Sequence, residues 1–325
     1  WVDMSDPYVT YENKYIETVW WLLSQLYQKQ MIYKGYTIQP YSPAAGTGLS
    51  SHELNLPGTY RDVKDTSCTA LFQVNSAESS VAELQEALQA GAVFIMAWTT
   101  TPWTLPSNTA LTVGANIEYL LVDTFNPYTA DPQKIVLAKS RLQAYFKPEG
   151  EAADMAYSAN DKVLPYRVLA SFKGSDMVGL SYEQLLPYAQ PFQDAEKAYR
   201  VIAGDFVTTE DGTGIVHTAP TFGADDMRVA KEAGIPPMLV LNENGDPVPL
   251  VDLRGRFVDS VQDPVWGLGG EPVKAEYLTE VELKKDFEQQ KEALKAFIPN
   301  LSNYLSVDER IALKLKLEGK AFKVE

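Results

Sequence analysis

The sequence predicts an α+β fold: a mixed β-barrel, closed or nearly closed, with peripheral helices and with helical and strand-like stem segments at its ends. Three observations point there. Between residues 65 and 273, seven short strand candidates follow at irregular spacing, 66–74, 92–98, 118–123, 134–138, 164–171, 199–207 and 214–218, most of them rich in β-branched and aromatic residues. Short helices interrupt them without the regular strand-helix alternation of a doubly wound sheet. From residue 274 onward the chain turns to charged helices opened by capping boxes. The expected organisation is a stem segment 1–64, the barrel 65–273 and a helical connecting segment 274–325.

In the first segment Ile16, Val19, Trp20, Leu23, Leu26 and Tyr27 recur at helical spacing, and the stretch 31–39 turns extended after Gly35. Trp20 and Trp21 on that helix need cover, so packing in a core or on a neighbouring domain is expected. The next stretch, SPAAGTGLSSHELNLPGTY, reads as a linker: Gly46-x-Gly48 lacks the third glycine and the strand-to-helix setting of a dinucleotide loop. Within the barrel, Val81, Leu84 and Leu88 share one face of a helix over 81–90. A second helix over 225–233 is stopped by Gly234 and followed by Pro236-Pro237. In the tail, Thr279-x-x-Glu282 and Ser306-x-x-Glu309 each open a helix; Leu283, Phe287, Leu294 and Ile298 line the first, and Gly319 ends the second.

Composition narrows the function. With 45% hydrophobic residues the chain can bury a large core, and its longest apolar runs fall short of the roughly 20 residues of a membrane span. No membrane partner and a cytoplasmic location are expected. A single cysteine, Cys68, cannot form an internal disulfide, and His52 and His217 are too few and too far apart for a typical zinc site, so no metal is expected. The net charge of −15 opposes broad, non-specific grip on a nucleic-acid backbone, and any such partner must be engaged locally.

Two stretches carry candidate chemistry. WTTTPWTLPSN, residues 98–108, follows an apolar strand, and Pro102 stops that strand from continuing regularly. Alternation sends Thr99 and Thr101 to one face and Thr100 to the other. Hydroxyls thus gather at a break, where each can donate and accept around a water or a sugar hydroxyl. GTGIVHTAPTFGADD, residues 212–226, reads as a tight turn, a strand carrying His217, and a loop delivering Asp225 and Asp226 to a helix start. One aspartate suffices for capping, which leaves the other to attract a substrate ammonium. Read from the residues alone, both could equally be surface caps, and His217 a satisfied strand residue. No Gly-x-Ser-x-Gly elbow is present.

Taken together, these two stretches resemble the threonine-rich and aspartate-bearing segments of the editing domain of isoleucyl-tRNA synthetases. Thr101-Pro102-Trp103 and His217 favour the isoleucyl member over the valyl and leucyl ones, which carry a TTRP-type segment and lack that histidine. The stretches DPYVTYENKYIETVWWLL, YKGY at Tyr33 to Tyr36 and GLSSHE at Gly48 to Glu53 are also similar to that family. The resemblance covers most of the chain, although 76–90 and 149–198 carry little motif. The ATP-handling HIGH and KMSKS signatures are absent, so the chain reads as an editing insertion with pieces of its stem. ATP and Mg belong to the synthetase core, and no cofactor is expected here.

The resemblance implies hydrolysis of valine from the 3′ end of tRNA(Ile), with the remainder of the synthetase as the other partner. A missing methylene lets an apolar pocket discriminate by only about 10–200-fold, isoleucyl-tRNA synthetases being the standard case of that limit, so a second, hydrolytic site is needed. By the same resemblance Asp226 binds the substrate ammonium, Asp225 caps the helix or supports its loop, and His217 bars isoleucine by bulk. Thr99, Thr100, Thr101, Thr104 and Asn108, beside Trp98 and Gly223, line the pocket for the terminal adenosine and the ester. Two other readings fit the residues: a non-catalytic barrel that binds a nucleic-acid end or a small ligand, and an unrelated aminoacyl-ester or peptide hydrolase.

Overall fold

The computed structural model of the chain describes all residues except Trp1, Val2, Asp6, Lys34, Tyr36, Ala77, Glu78, Ala152 and Asn160. Expectations for YKGY and for the opening residues therefore lie partly outside the described residues. The chain forms two compact units, 1–37 and 38–325.

The first unit contributes helix α1, Asn13–Gln28, none of whose side chains is buried. Trp20 and Trp21 are 69% and 61% exposed, so the expected core packing of this pair is not found within the unit. A lone helix has no second element on which to bury its apolar face. No strand forms among the described residues of 31–39.

In the second unit, the stretch read as a linker holds a hairpin, β1 (Tyr41–Ser42) with β2 (Thr47–Gly48), and a short helix α2, Ser51–Leu54. A capping box opens α2, in which Ser50 and Glu53 satisfy each other's backbone N–H groups.

The main sheet is mixed and has nine strands. In chain order its elements are β3 (Cys68–Gln73), helix α3 (Ala82–Ala90), β4 (Val93–Thr99), β5 (Ala110–Val113), β6 (Glu118–Phe125) and β7 (Pro132–Ala138). Helix α4 (Leu142–Tyr145), β8 (Arg167–Lys173), β9 (Arg200–Ala203), β10 (Ile215–Thr218) and helix α5 (Ala224–Glu232) follow. Beyond them come the hairpins β11 (Leu239–Leu241) with β12 (Pro247–Pro249) and β13 (Gln262–Asp263) with β14 (Gly267–Leu268). Helices α6 (Glu280–Ala293) and α7 (Val307–Leu317) and strand β15 (Ala321–Val324) complete the chain. The strands lie in the order β8-β6-β7-β4-β10-β5-β9, with β3 on the opposite edge of β4 and β15 beyond β3.

Part of this sheet curls into a ring. Ser181 bridges Arg200 at β9, and Tyr182 bridges Val74 just past β3, with Tyr182 N–H on the Tyr199 carbonyl and Asn75 N–H on that of Ser181, both at 3.0 Å. The path β3-β4-β10-β5-β9 thereby returns to β3, and the edges that an open sheet would expose are paired.

Strand β4 sits at the branch of this topology. Its Val93, Phe94 and Ile95 pair in parallel with β7, and on the same edge Trp98 pairs with Val216 of β10. Both faces of β4 are covered. Ile95 and Ala97 belong to the main core with Phe72, Leu111 and Ile215, while Met96 packs with Leu71, Leu137, Phe146 and Phe322 on the other side. Burial on two faces explains why Val93 to Ala97 reads as a continuous apolar run rather than an alternating one.

The boundary drawn at 273/274 does not coincide with a structural seam. Both tail capping boxes form, at Thr279 and Ser306, but Val307, Ile311, Ala312 and Leu315 of α7 enter the main core, and β15 pairs antiparallel with β3. Helix α6 packs around a smaller cluster of Trp266, Leu294 and Leu301. The charged residues of α7 suggested a connector; its buried stripe makes it a wall of the barrel unit. Leu315 is fully buried, so Leu315→Ala should cost about 2–5 kcal/mol in urea unfolding followed by near-ultraviolet circular dichroism. A cost under about 1 kcal/mol would contradict the integration of α7.

Candidate functional site

A cavity of about 280 Å³ opens where β4 and β10 end side by side, lined by Trp98, Thr99, Thr100, Thr101, Thr104, Val216, His217, Ala219, Phe222, Gly223 and Asp226. The sheet delivers the two candidate stretches to one place although more than a hundred residues separate them, because β4 and β10 are parallel neighbours with Trp98 opposite Val216.

The threonine stretch owes its shape to proline. Strand β4 stops at Thr99, and a 3₁₀ turn runs from Pro102 to Ser107, with Pro102 at its first position, where a missing N–H leaves no bond unmade. Hydroxyls knit the corner together. Thr101 N–H donates to the Thr99 hydroxyl at 3.0 Å, the Thr99 and Thr101 hydroxyls lie 3.2 Å apart, and Thr101 and Thr104 hydroxyls 3.4 Å apart. The Thr104 hydroxyl donates to the Thr101 carbonyl at 2.8 Å. Thr100 is exposed at the mouth and keeps its hydroxyl out of this network.

His217 is buried in β10, and its ring is held at both nitrogens. Asn108 Nδ2 lies 3.0 Å from Nδ1, and Thr104 Oγ1 lies 2.8 Å from Nε2. The Tyr182 hydroxyl donates to Asn108 Oδ1 at 2.6 Å, and Asn108 Nδ2 also donates to the Ala110 carbonyl at 2.8 Å. The amide group thus turns its nitrogen toward His217, so Nδ1 accepts and the ring proton sits on Nε2. The Thr104 hydroxyl has its own proton on Thr101 and accepts that one. Burial pushes the imidazole pKa down to about 4, which keeps the ring neutral near pH 7. Both nitrogens are occupied within the protein, so the imidazole presents its bulk to the cavity rather than a vacant base.

Asp226 comes from the first turn of α5. Its Oδ2 accepts the Ala219 N–H at 2.9 Å, and no Lys, Arg or His among the described residues pairs with it. Burial raises its pKa above the ordinary carboxylate value, opposed by the Ala219 N–H and assisted by the nearby charge of Asp225. Gly223 makes this position possible: a Cβ there would lie 2.7 Å from both Cγ and Oδ2 of Asp226. The carboxylate folds back over a backbone that must be bare.

Most of the residues expected from the sequence meet here. Asp225 does not: it is exposed and lies 3.6 Å from Arg228 on the outer face of α5. Nor does it cap the helix, since Gly223 occupies the N-cap position without any side-chain cap bond. Asn108 sits behind His217 rather than on the cavity wall. The wall residues Val216, Ala219 and Phe222 and the buried donor Tyr182 were not singled out from sequence. The first three lie inside the aspartate stretch, whereas Tyr182, from a region with little motif, gives no local signal. Among the described residues no three metal-binding side chains cluster.

Against known families, residues 1–304 match the model described as tRNA synthetases class I (I, L, M and V). The chain belongs to that family. Along its whole length it is 55% identical to a segment of the isoleucine–tRNA ligase of Cytophaga hutchinsonii and 51% identical to that of Bacteroides fragilis. It spans 27% of the length of each of these relatives. Among solved structures, the editing domain of the cytosolic leucyl-tRNA synthetase of P. knowlesi aligns over 83% of this chain and 99% of its own, at a TM-score of 0.43 and 12% identity. A structure described as GlLeuRS-CP1 aligns over 80% and 99%, at 0.44 and 13%. Likenesses of this degree add nothing to the assignment.

The His217 site makes a pH test available. The unfolded chain binds a proton near pH 6.5 that the folded ring refuses until about 4. The stability tied to this group is therefore complete above pH 6.5 and is lost as pH falls toward 4, about 2 kcal/mol of it between pH 7 and 5. His217→Gln should flatten the pH dependence of unfolding by that amount, measured by urea titration at both pH values. Parallel curves for variant and wild type would show that the ring is not held neutral.

Proposed function

We propose that this chain is the hydrolytic editing unit of an isoleucine–tRNA ligase, releasing valine from mischarged tRNA(Ile). The observation that carries this reading is a part-buried carboxylate, Asp226, with no cation partner among the described residues, sharing one cavity with the Thr99–Thr101 hydroxyls and His217. An aminoacyl ester offers what that cavity lacks, an ammonium beside a carbonyl. The first partner in this reading is the 3′ end of tRNA(Ile), the second the remainder of the ligase, where ATP and Mg serve aminoacylation. The setting is the cytoplasm.

The residues divide the work. Asp226 clasps the α-ammonium, which restores the negative charge that burial disfavours. His217, braced by Asn108 and Thr104, walls the side-chain end and limits it to valine. Thr104 has spent its proton on the Thr101 carbonyl, so the hydroxyls left to hold water and the ester are those of Thr100 and of the Thr99 and Thr101 pair. Water attacks the ester carbonyl carbon, the carbonyl oxygen takes the negative charge, and the carbon–oxygen bond to the ribose breaks as that oxygen receives a proton. Valine and uncharged tRNA result. With His217 occupied at both nitrogens, the attacking water is assisted by the adjacent ribose hydroxyl, as the resemblance to the editing domains implies. Catalysis here is positioning and charge stabilisation.

The test is deacylation of valyl-tRNA(Ile) and isoleucyl-tRNA(Ile) by the chain at micromolar concentration. Valine should be released preferentially. Asp226→Ala should lower kcat/KM by on the order of 10²-fold, the range expected when a carboxylate loses a desolvated ammonium. His217→Ala should raise isoleucine release relative to valine. Equal turnover of both substrates by the wild type, or an unchanged ratio in His217→Ala, would contradict the assignment.

A further inference from the structure

One carboxylate outside the cavity grips the threonine segment directly. Asp308, in the first turn of α7, is 1% exposed, and its Oδ1 accepts the Trp103 N–H at 2.7 Å. Its other oxygen is ion-paired with Lys274, which also pairs with Asp65 at 2.6 Å. Residues far apart in the chain thus meet at the Trp103 backbone. A buried ion pair is weak evidence for stability, since removing two charges from water costs about what their attraction returns. What Asp308 supplies is an acceptor for an N–H in the first turn of a 3₁₀ helix, where no backbone partner exists. The N-terminal turn of α7 favours a negative charge at that place.

Trp103 adjoins two residues that line the cavity. Its neighbour Thr104 receives the His217 ring proton, and its indole meets the ring of Phe222, a lining residue, at 4.8 Å in an edge-to-face contact. Displacing the Trp103 backbone therefore disturbs the brace of His217 and the Phe222 wall together. We infer that Asp308 is a positioning residue of the editing site, holding the 3₁₀ turn so that Thr104 locks His217 and Trp103 supports Phe222. This rests on the editing reading for its kinetic consequence but not for its structural one.

The experiment compares Asp308→Ala and Asp308→Asn, with Leu315→Ala on the same helix as a control for stability alone. Two readouts are taken. The first is the titration of the His217 ring by NMR, easily assigned because His52 is the one other histidine. In the wild type and Asp308→Asn, whose amide oxygen still accepts the Trp103 N–H, the ring should titrate near 4; in Asp308→Ala it should move toward 6.5. The second is deacylation of valyl-tRNA(Ile), where Asp308→Ala should lower kcat by about 10- to 100-fold, as expected when reacting groups are misplaced by an ångström. KM should change little, and Asp308→Asn and Leu315→Ala should stay near wild type. A His217 titration unmoved in folded Asp308→Ala would overturn the positioning role, as would an equal shift in Leu315→Ala. A moved titration in a chain with no deacylase activity would keep the positioning role and count against the editing reading. Should Asp308→Ala fail to fold, the same readouts on Asp308→Leu, which also removes the acceptor for the Trp103 N–H but fills the space, decide: a shifted His217 titration supports the positioning role, and an unshifted one overturns it.

Discussion

The site depends on a carboxylate kept partly out of water with no cation beside it among the described residues. Asp226 accepts one backbone N–H, and burial makes its charge costly. The surroundings enforce this arrangement: Gly223 offers no Cβ to push the carboxylate outward, Ala219 supplies one donor, and Arg228, two residues along α5, turns to Asp205 and Asp225 on the outer face. A cation is the missing complement, and an aminoacyl ester carries one.

The second constraint is a histidine stripped of proton chemistry. Asn108, oriented by the Tyr182 hydroxyl, and Thr104 occupy the two imidazole nitrogens, and burial leaves the ring neutral. Such a network costs little when every member is satisfied and a great deal when one is lost. It turns His217 into a rigid wall. It also consumes the hydroxyl of Thr104, so Thr104 and Asn108 hold the histidine while Thr99, Thr100 and Thr101 face the cavity.

Much of this was legible in the sequence, for identifiable reasons. Strands such as Val93–Thr99 and Glu118–Phe125 announce themselves by apolar, β-branched content, and the tail helices by their capping boxes. The grouping of threonines, His217 and Asp226 followed from two motifs. Strands Ala110–Val113 and Ala321–Val324 escaped because their existence depends on partners elsewhere in the chain, β10 and β9 for the first and β3 for the second. The same holds for Tyr182 and Asp308, whose importance lies in contacts 74 and 205 residues away. Which aspartate turns inward could not be read from periodicity, since both occupy the first turn of α5; the bare backbone at Gly223 decides it. Residues 31–39 read as a strand, but among the described residues of that stretch none pairs with another strand.

The central claim is most directly tested by binding rather than turnover. Isothermal titration would compare an adenosine carrying valine through a non-hydrolysable amide with its counterpart lacking the α-amino group. The account predicts that the amino compound binds at least about tenfold more tightly, in line with the worth of a charge-assisted hydrogen bond, and that Asp226→Ala erases the difference. Equal affinity of the two compounds for the wild-type chain would contradict it.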